Sequence, residues 1–267
     1  MSSRSQRLGI SFFVFFVSVF LFVSAGSGEL PVITLMTDAI EQGGVIQGII
    51  ISANQPSYSM VLVDEEGNTW ASVDTFMYND MLSFVIPVPC NTPAGNYHVK
   101  GSAKDAMHFF ESEPIQIQEF AFSSEEIYLD RAVTSLIRTQ NPQREQEANA
   151  LWAILNTVDH EAVYYGGAMR IPVDNYRLTG TFGDQRVFRY SDGTSSESRH
   201  WGVDLAAPTG TPVFASAAGR IVFAGERLIT GNTIIIEHLP GVFTLFYHMD
   251  ELEISVGEMV CLGQRVG

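Results

Sequence analysis

His200 and Asp204, in the run HWGVD, are the residues of this chain best suited to chemistry. An imidazole nitrogen and a carboxylate oxygen are both good zinc donors, each at about 2.0–2.2 Å from the metal. On an extended strand, residues i and i+4 share a face but lie about 13 Å apart. That is too far to share one ion unless the chain bends. Gly202, between the two, can supply the bend or bulge. A zinc site that hydrolyses amides needs three protein ligands and one position open to water, whose pKa the metal lowers toward about 7. Taken alone, the His-x-x-x-Asp spacing equally describes a surface histidine beside an acid, since the chain has 6 histidines and 30 acidic residues.

The elements that must position this pair are legible in outline. At 267 residues, 46% hydrophobic and 17% charged, the chain is long and apolar enough for one large or two modest domains with a buried core. Arg4 and Arg7 precede the apolar run from Leu8 to Val23, and Val23, Ser24 and Ala25 are small residues of the kind a signal peptidase favours. Residues 1–25 therefore read as a secretory signal peptide cleaved after Ala25. The alternative is a retained N-terminal anchor, which would be the chain's one contact with a membrane. No cysteine stands at the cleavage site to carry a lipid. The formal net charge of -15 excludes the basic face that nucleic-acid binding requires. Cys90 and Cys261 read as two independent, mostly buried thiols, neither beside a catalytic partner.

From residue 30 to 118, short apolar runs alternate with turn residues. Val45–Ile51, Ser59–Val63, Leu82–Val88 and Tyr97–Gly101 read as strands, and Glu65–Asn68 and Asn91–Asn96 as turns. That spacing predicts an antiparallel, immunoglobulin-like β-sandwich. His98 and His108 fall within it as surface or half-buried strand residues. From 119 to 165 the texture becomes helical, with apolar residues over Leu129–Thr139 and Pro142–Asn156. Asn141 followed by Pro142 is a helix start. Ala148, Leu151, Trp152 and Leu155 are expected to pack rather than to bind a ligand. From 166 to 267 the β-character returns. Ile234–His238 and Val242–His248 predict a hairpin around Leu239–Gly241, and Ser191–Ser198 (SDGTSSES) reads as a polar, mobile insertion before His200.

Four runs of this C-terminal third then stand in order: RLTGTFGDQR at 177–186, HWGVDLAAPTGTPVFASAAGRIVFAG at 200–225, GNTIIIEH at 231–238 and TLFYHMDELEISVGEMVCLGQRVG at 244–267. Together they resemble peptidase family M23, the lysostaphin-type zinc endopeptidases that cut peptide cross-links in bacterial cell walls. To a mainly β chain read as signal segment 1–25, sandwich 30–118 and short helical connector 119–165, the resemblance adds an antiparallel β-groove peptidase domain over 166–267. It implies one zinc ion held by His200 and Asp204. His248 matches a groove histidine that donates to developing oxyanion charge or passes a proton to the leaving amine. Gly183 matches a turn glycine, and Arg186 is expected to pair with a substrate carboxylate or with Asp184.

In the family, the third zinc ligand comes from a His-x-His strand that follows the GQ-x-x-G run. It is therefore expected beyond residue 267, which makes this chain a C-terminally incomplete M23 domain, inactive as it stands. His238 cannot substitute, because it and His248 flank one hairpin at roughly 16 Å from each other. His160, in the connector, has no reason to enter the groove. The implied partners are stem or cross-bridge peptides of peptidoglycan, in the periplasm or cell envelope of a bacterium. The alternative function is a non-catalytic M23-like module that binds cell wall or activates another hydrolase.

Overall fold

The computed structural model describes residues 31–52, 57–103, 109–165 and 169–267. The signal segment and His108 lie outside the described residues. Two compact units divide at Ala121 and Phe122.

The first unit is built from ten strands: β1 (Val32–Leu35), β2 (Ala39–Glu41), β3 (Val45–Ile51), β4 (Ser59–Asp64), β5 (Thr69–Asp74), β6 (Phe76–Tyr78), β7 (Met81–Pro87), β8 (Gly95–Ser102), β9 (Phe109–Glu111) and β10 (Ile115–Gln118). One sheet runs β1-β3-β7-β6. The other runs β2-β10-β8-β4-β5, with β9 also on β8. Alternation in the sequence decides which side chains enter the core. In β8, Tyr97 and Val99 are buried while His98 and Lys100 are only partly so, and in β10 Ile115 and Ile117 are buried between exposed glutamines. Residues of both sheets, among them Ile46, Phe84, Ile86, Met60, Leu62 and Val99, form a single apolar cluster. The sandwich expected from the turn spacing is present. His98 is half-buried, with Nδ1 against the Ser112 carbonyl at 3.1 Å.

The second unit begins with β11 (Ser124–Tyr128), α1 (Arg131–Arg138) and α2 (Pro142–Leu155). Asn141 caps α2 as its sequence demands, its side chain accepting from the Gln143 and Arg144 amides with Pro142 in the first turn. Two expectations for this stretch are corrected. Ser124–Tyr128 is not helical; it pairs in parallel with β13 (Gln185–Arg189) over five residues, a long-range pairing that local periodicity does not report. Trp152 does not pack, being 59% exposed, and α2 buries none of its residues fully. Its half-buried stripe is Arg144, Glu147, Ala148, Leu151, Ile154 and Leu155, a helical spacing that leaves Trp152 outside.

The remaining strands are β12 (Arg177–Gly180), β14 (Ser195–Arg199), β15 (Asp204–Ala206), β16 (Gly219–Arg227), β17 (Gly231–Leu239), β18 (Val242–Met249) and β19 (Met259–Val260). They form three sheets: β11-β13-β14, the pair β12-β15, and β18-β17-β16-β19. The β17–β18 hairpin lies where the sequence placed it. From Thr233 to Leu239 every residue of β17 is buried, the signature of a strand covered on both faces. Ile234, Ile236, Ile221, Phe246, Val260 and Val266 make the core beneath it.

The SDGTSSES run is not a mobile insertion. It is the turn and second strand of a hairpin, β13–β14, paired from Gln185–Arg199 to Arg189–Ser195. Asp192 Oδ1 accepts from the Thr194 amide and hydroxyl, and Gly193 takes the left-handed conformation (φ 85°) that closes the turn. α1 covers it: the Ser191 amide donates to Thr134 Oγ1, and the Arg138 guanidinium sits 4.2 Å over the Tyr190 ring. Cys261, expected to be mostly buried, is exposed in the turn after β19, whereas Cys90 is buried.

Because Ile236 is fully buried at the centre of the strand that supports β18, Ile236→Ala is expected to cost about 2–5 kcal/mol. A urea titration should show a lower midpoint with an unchanged m-value.

Candidate metal centre

His200 and Asp204 are not neighbours on one strand. β14 ends at Arg199 and β15 begins at Asp204, so the pair flanks a bend at Gly202 between strands of different sheets. The bend brings His200 Nε2 to 3.1 Å from Asp204 Oδ1. The glycine expected to close the gap does so, and a Cβ there would lie 3.8 Å from Nε2.

Each ligand candidate is held from behind. His200 Nδ1 lies 3.0 Å from the Thr181 carbonyl, which can only accept, so Nδ1 carries a proton and Nε2 is the nitrogen turned toward Asp204. The turn 181–184 grips the same residue through its backbone: the His200 amide donates to the Asp184 carbonyl, and the Gly183 amide to the His200 carbonyl. Asp184 in turn accepts from the Thr181 amide and hydroxyl and from the Ser123 amide. Gly183 is indeed a turn glycine: its φ is 85°, and a Cβ would meet the Phe122 ring at 2.1 Å.

Asp204 Oδ2 accepts from Arg186 Nη2 at 2.7 Å, and Arg186 Nε donates to Glu125 Oε1, also at 2.7 Å. Arg186 therefore does not pair with Asp184, whose carboxylate is already committed to the turn. Gly180 lies opposite Asp204 in the β12–β15 pairing. A Cβ at that position would come within 2.7 Å of both Arg186 Nη2 and Asp204 Oδ2. Gly180, Thr181 and Glu125 are thus site residues that spacing alone did not single out. A glycine in a strand is the one signal that pointed to close approach.

The donor set fits zinc as far as it goes. His200 Nε2 and Asp204 Oδ1 face each other at 3.1 Å, a spacing that suits either a proton or a metal ion shared between them. Adjacent ligands of a tetrahedral zinc stand about 3.3 Å apart, given bonds of about 2.0–2.2 Å. A hydrogen bond from the other ring nitrogen to a carbonyl, and from an arginine to the second carboxylate oxygen, is how metal ligands are oriented. Among the described residues, no group of three His, Cys, Asp or Glu side chains converges, so the pair amounts to two of the three protein ligands that a catalytic zinc uses.

His248 is exposed on β18, and no hydrogen bond or ion pair among the described residues links it to His200 or Asp204. Its backbone is left-handed, φ 59°, beside an irregularity in the β17–β18 register between Asn232 and Ile234. Non-glycine residues in that region carry strain, and such strain gathers at functional positions. His238 is the opposite case. It is fully buried, with Nδ1 on the Ala218 carbonyl at 2.7 Å and Nε2 on the Thr244 hydroxyl at 2.8 Å. Both nitrogens are used and neither is open to a metal. His160 lies exposed in a turn after α2. Beside His200, Trp201 is 69% exposed and meets Phe182 edge to face at 6.2 Å.

Residues 198–267 match the model of Peptidase family M23. Over 99 residues the chain is 32% identical to the peptidoglycan DD-endopeptidase ShyA of Vibrio cholerae, a match covering 37% of this chain and 22% of that protein. It is 36% identical over 94 residues to the DD-carboxypeptidase/endopeptidase Mpg of Neisseria meningitidis, covering 35% and 21%. It is 34% identical over 74 residues to the lipoprotein YgeR of Escherichia coli, covering 27% and 30%. The matched stretch thus spans less than a third of the length of each of these relatives. A crystal structure of a Pseudomonas aeruginosa protein assigned to peptidase M23 shares the fold, with a TM-score of 0.56 at 19% identity over 85% of this chain and 80% of that one.

Two stability predictions follow from the histidines. Burial pushes the His238 imidazole below its usual pKa of 6.5. The unfolded chain therefore takes up a proton there before the folded one does, and stability is lost as pH falls. Between about pH 7.5 and pH 5.5 the urea midpoint should drop, and the drop should shrink in His238→Gln. At the strained position, His248→Gly should leave the thermal midpoint equal or higher, whereas His248→Val should cost about 1–2 kcal/mol.

Proposed function

Taking the match of residues 198–267 to peptidase family M23 as premise, we propose that this chain belongs to an exported zinc metalloendopeptidase of the bacterial cell envelope that hydrolyses peptide cross-links of peptidoglycan. The single observation that carries the reading is the convergence of His200 Nε2 and Asp204 Oδ1 at 3.1 Å, with the imidazole tautomer set by Thr181. The substrate class is supported by ShyA, a peptidoglycan DD-endopeptidase by name. Export is supported by the apolar run at residues 8–23 of the sequence; among the described residues no helix is long and apolar enough to cross a membrane.

When bound, zinc supplies a Lewis acid for the scissile carbonyl and renders a water acidic near pH 7. His200 and Asp204 would hold it as two of its protein ligands. The Thr181 carbonyl keeps the Nε2 lone pair of His200 directed at the metal position, and Arg186 keeps Oδ1 of Asp204 turned toward it. His248, exposed on β18, would donate a hydrogen bond to oxygen as negative charge develops, or deliver the proton that the departing amine needs.

One observation favours a second reading. Only two donors converge among the described residues, which suits a non-catalytic module that binds cell wall or activates another hydrolase.

Purified peptidoglycan distinguishes the two. For the whole protein to which this chain belongs, the enzyme reading expects release of cleaved stem or cross-bridge peptides, detected by mass spectrometry and stopped by a chelator, with zinc retained. His200→Ala should lose both zinc and hydrolysis. His248→Ala should keep zinc and lose hydrolysis by about 10²–10³-fold. Wall binding without peptide release, on a chain that retains no zinc, would overturn the enzyme reading in favour of the module.

A further inference from the structure

We infer that Arg186 and Glu125 are positioning residues for the Asp204 carboxylate, and that β11, which lies well outside the family-matched segment, is therefore part of the metal centre. The inference rests on the reading of His200 and Asp204 as zinc ligands.

The guanidinium of Arg186 is used at two ends. Nη2 donates to Asp204 Oδ2 and Nε to Glu125 Oε1, each at 2.7 Å. Arg186 is the most buried member of the trio, its side chain 19% exposed against 46% for Asp204 and 45% for Glu125. A rigid planar fork held at both ends has little freedom to turn. The carboxylate it holds loses freedom too. With Oδ2 taken, Asp204 can offer a metal Oδ1 alone, in the plane that places Oδ1 at 3.1 Å from His200 Nε2.

Two further observations show that the fold is built around this contact. Glu125 and Arg186 are register partners in the parallel β11–β13 pairing, so the ion pair is fixed by backbone hydrogen bonds on both sides. Gly180 leaves the space the contact occupies, since a Cβ there would lie 2.7 Å from Arg186 Nη2 and from Asp204 Oδ2 alike.

Charge by itself argues the other way. A guanidinium near a dication repels it, so an arginine acting merely as a neighbouring charge would weaken metal binding. Glu125 offsets that charge, leaving the pair neutral while preserving its hold on Asp204. The two views predict opposite signs when Arg186 is removed, which makes the matter decidable. Glu126 provides the control. It is the next residue on β11, similarly exposed, and it pairs with Arg189 rather than with Arg186. Neutralising it changes net charge as neutralising Glu125 does, with no effect on the hold on Asp204.

The experiment is a calorimetric titration of the full chain with Zn2+ at one pH and ionic strength, with thermal midpoints recorded for each variant. Arg186→Gln is expected to weaken Zn2+ binding by about 10–100-fold, and Glu125→Gln by up to about tenfold. Arg186→Lys should not restore affinity, because one ammonium cannot serve both carboxylates with the fork's geometry. Glu126→Gln should stay within about twofold of the parent. Glu125→Gln is isosteric and half exposed, so it retains the fold even if Arg186→Gln does not. If His200→Ala abolishes Zn2+ binding while Arg186→Gln and Glu125→Gln leave it unchanged or tighter, the positioning role is overturned and the metal reading stands. If His200→Ala leaves Zn2+ binding intact, the metal reading falls and the inference with it.

Discussion

With Nδ1 hydrogen-bonded to the Thr181 carbonyl, His200 turns Nε2 to Asp204 Oδ1 across 3.1 Å. Holding these two side chains at one place is the constraint to which this part of the chain is fitted. The turn at 181–184 binds His200 through its backbone in both directions, and Asp184 ties that turn down with three hydrogen bonds. On the other side, Arg186 and Glu125 hold Asp204. No one strand could supply both supports. Placing the pair at a bend between β14 and β15 lets two different sheets contribute one each.

The same constraint accounts for the glycines. Gly180 and Gly183 lie three residues apart and serve different needs. Gly183 takes a left-handed backbone that lets the turn close against Phe122, whereas Gly180 has no special φ and is needed for space alone. A side chain at Gly180 would displace either the arginine or the carboxylate. Both glycines therefore act on the site without touching anything that could bind there.

The histidines show how little residue type decides by itself. His238 is sealed within the four-stranded sheet with both nitrogens satisfied, and burial holds it neutral. His98 leans on a carbonyl at the edge of the sandwich core. His248 stands exposed on a strained backbone. His200 alone combines a fixed tautomer with a carboxylate opposite. His200 and His248 each turn a nitrogen to where a ligand or substrate could meet it.

Much of the architecture was legible in the chain because it depends on neighbours close in sequence. Short apolar runs set off by turn residues identified β3, β4, β7 and β8, the runs flanking Leu239–Gly241 placed the β17–β18 hairpin, and Asn141-Pro142 announced α2. The HWGVD run, with the motifs around it, made His200 and Asp204 the metal candidates and foresaw the bend at Gly202 that brings them together. What the sequence could not decide were pairings across long stretches of chain. Ser124–Tyr128 carries no local mark of a strand and becomes one because β13 lies beside it. SDGTSSES looks like a loose polar loop until α1 packs over its turn. Arg186 had an aspartate two residues away and instead reaches Glu125 and Asp204, 61 and 18 residues distant. Local propensity acts over one or two turns of chain, whereas the partner of a charged side chain is whichever group the packed sheets bring within hydrogen-bond reach. The sequence by itself thus determined which residues could hold a metal, and only the tertiary structure decided which residues hold them in place.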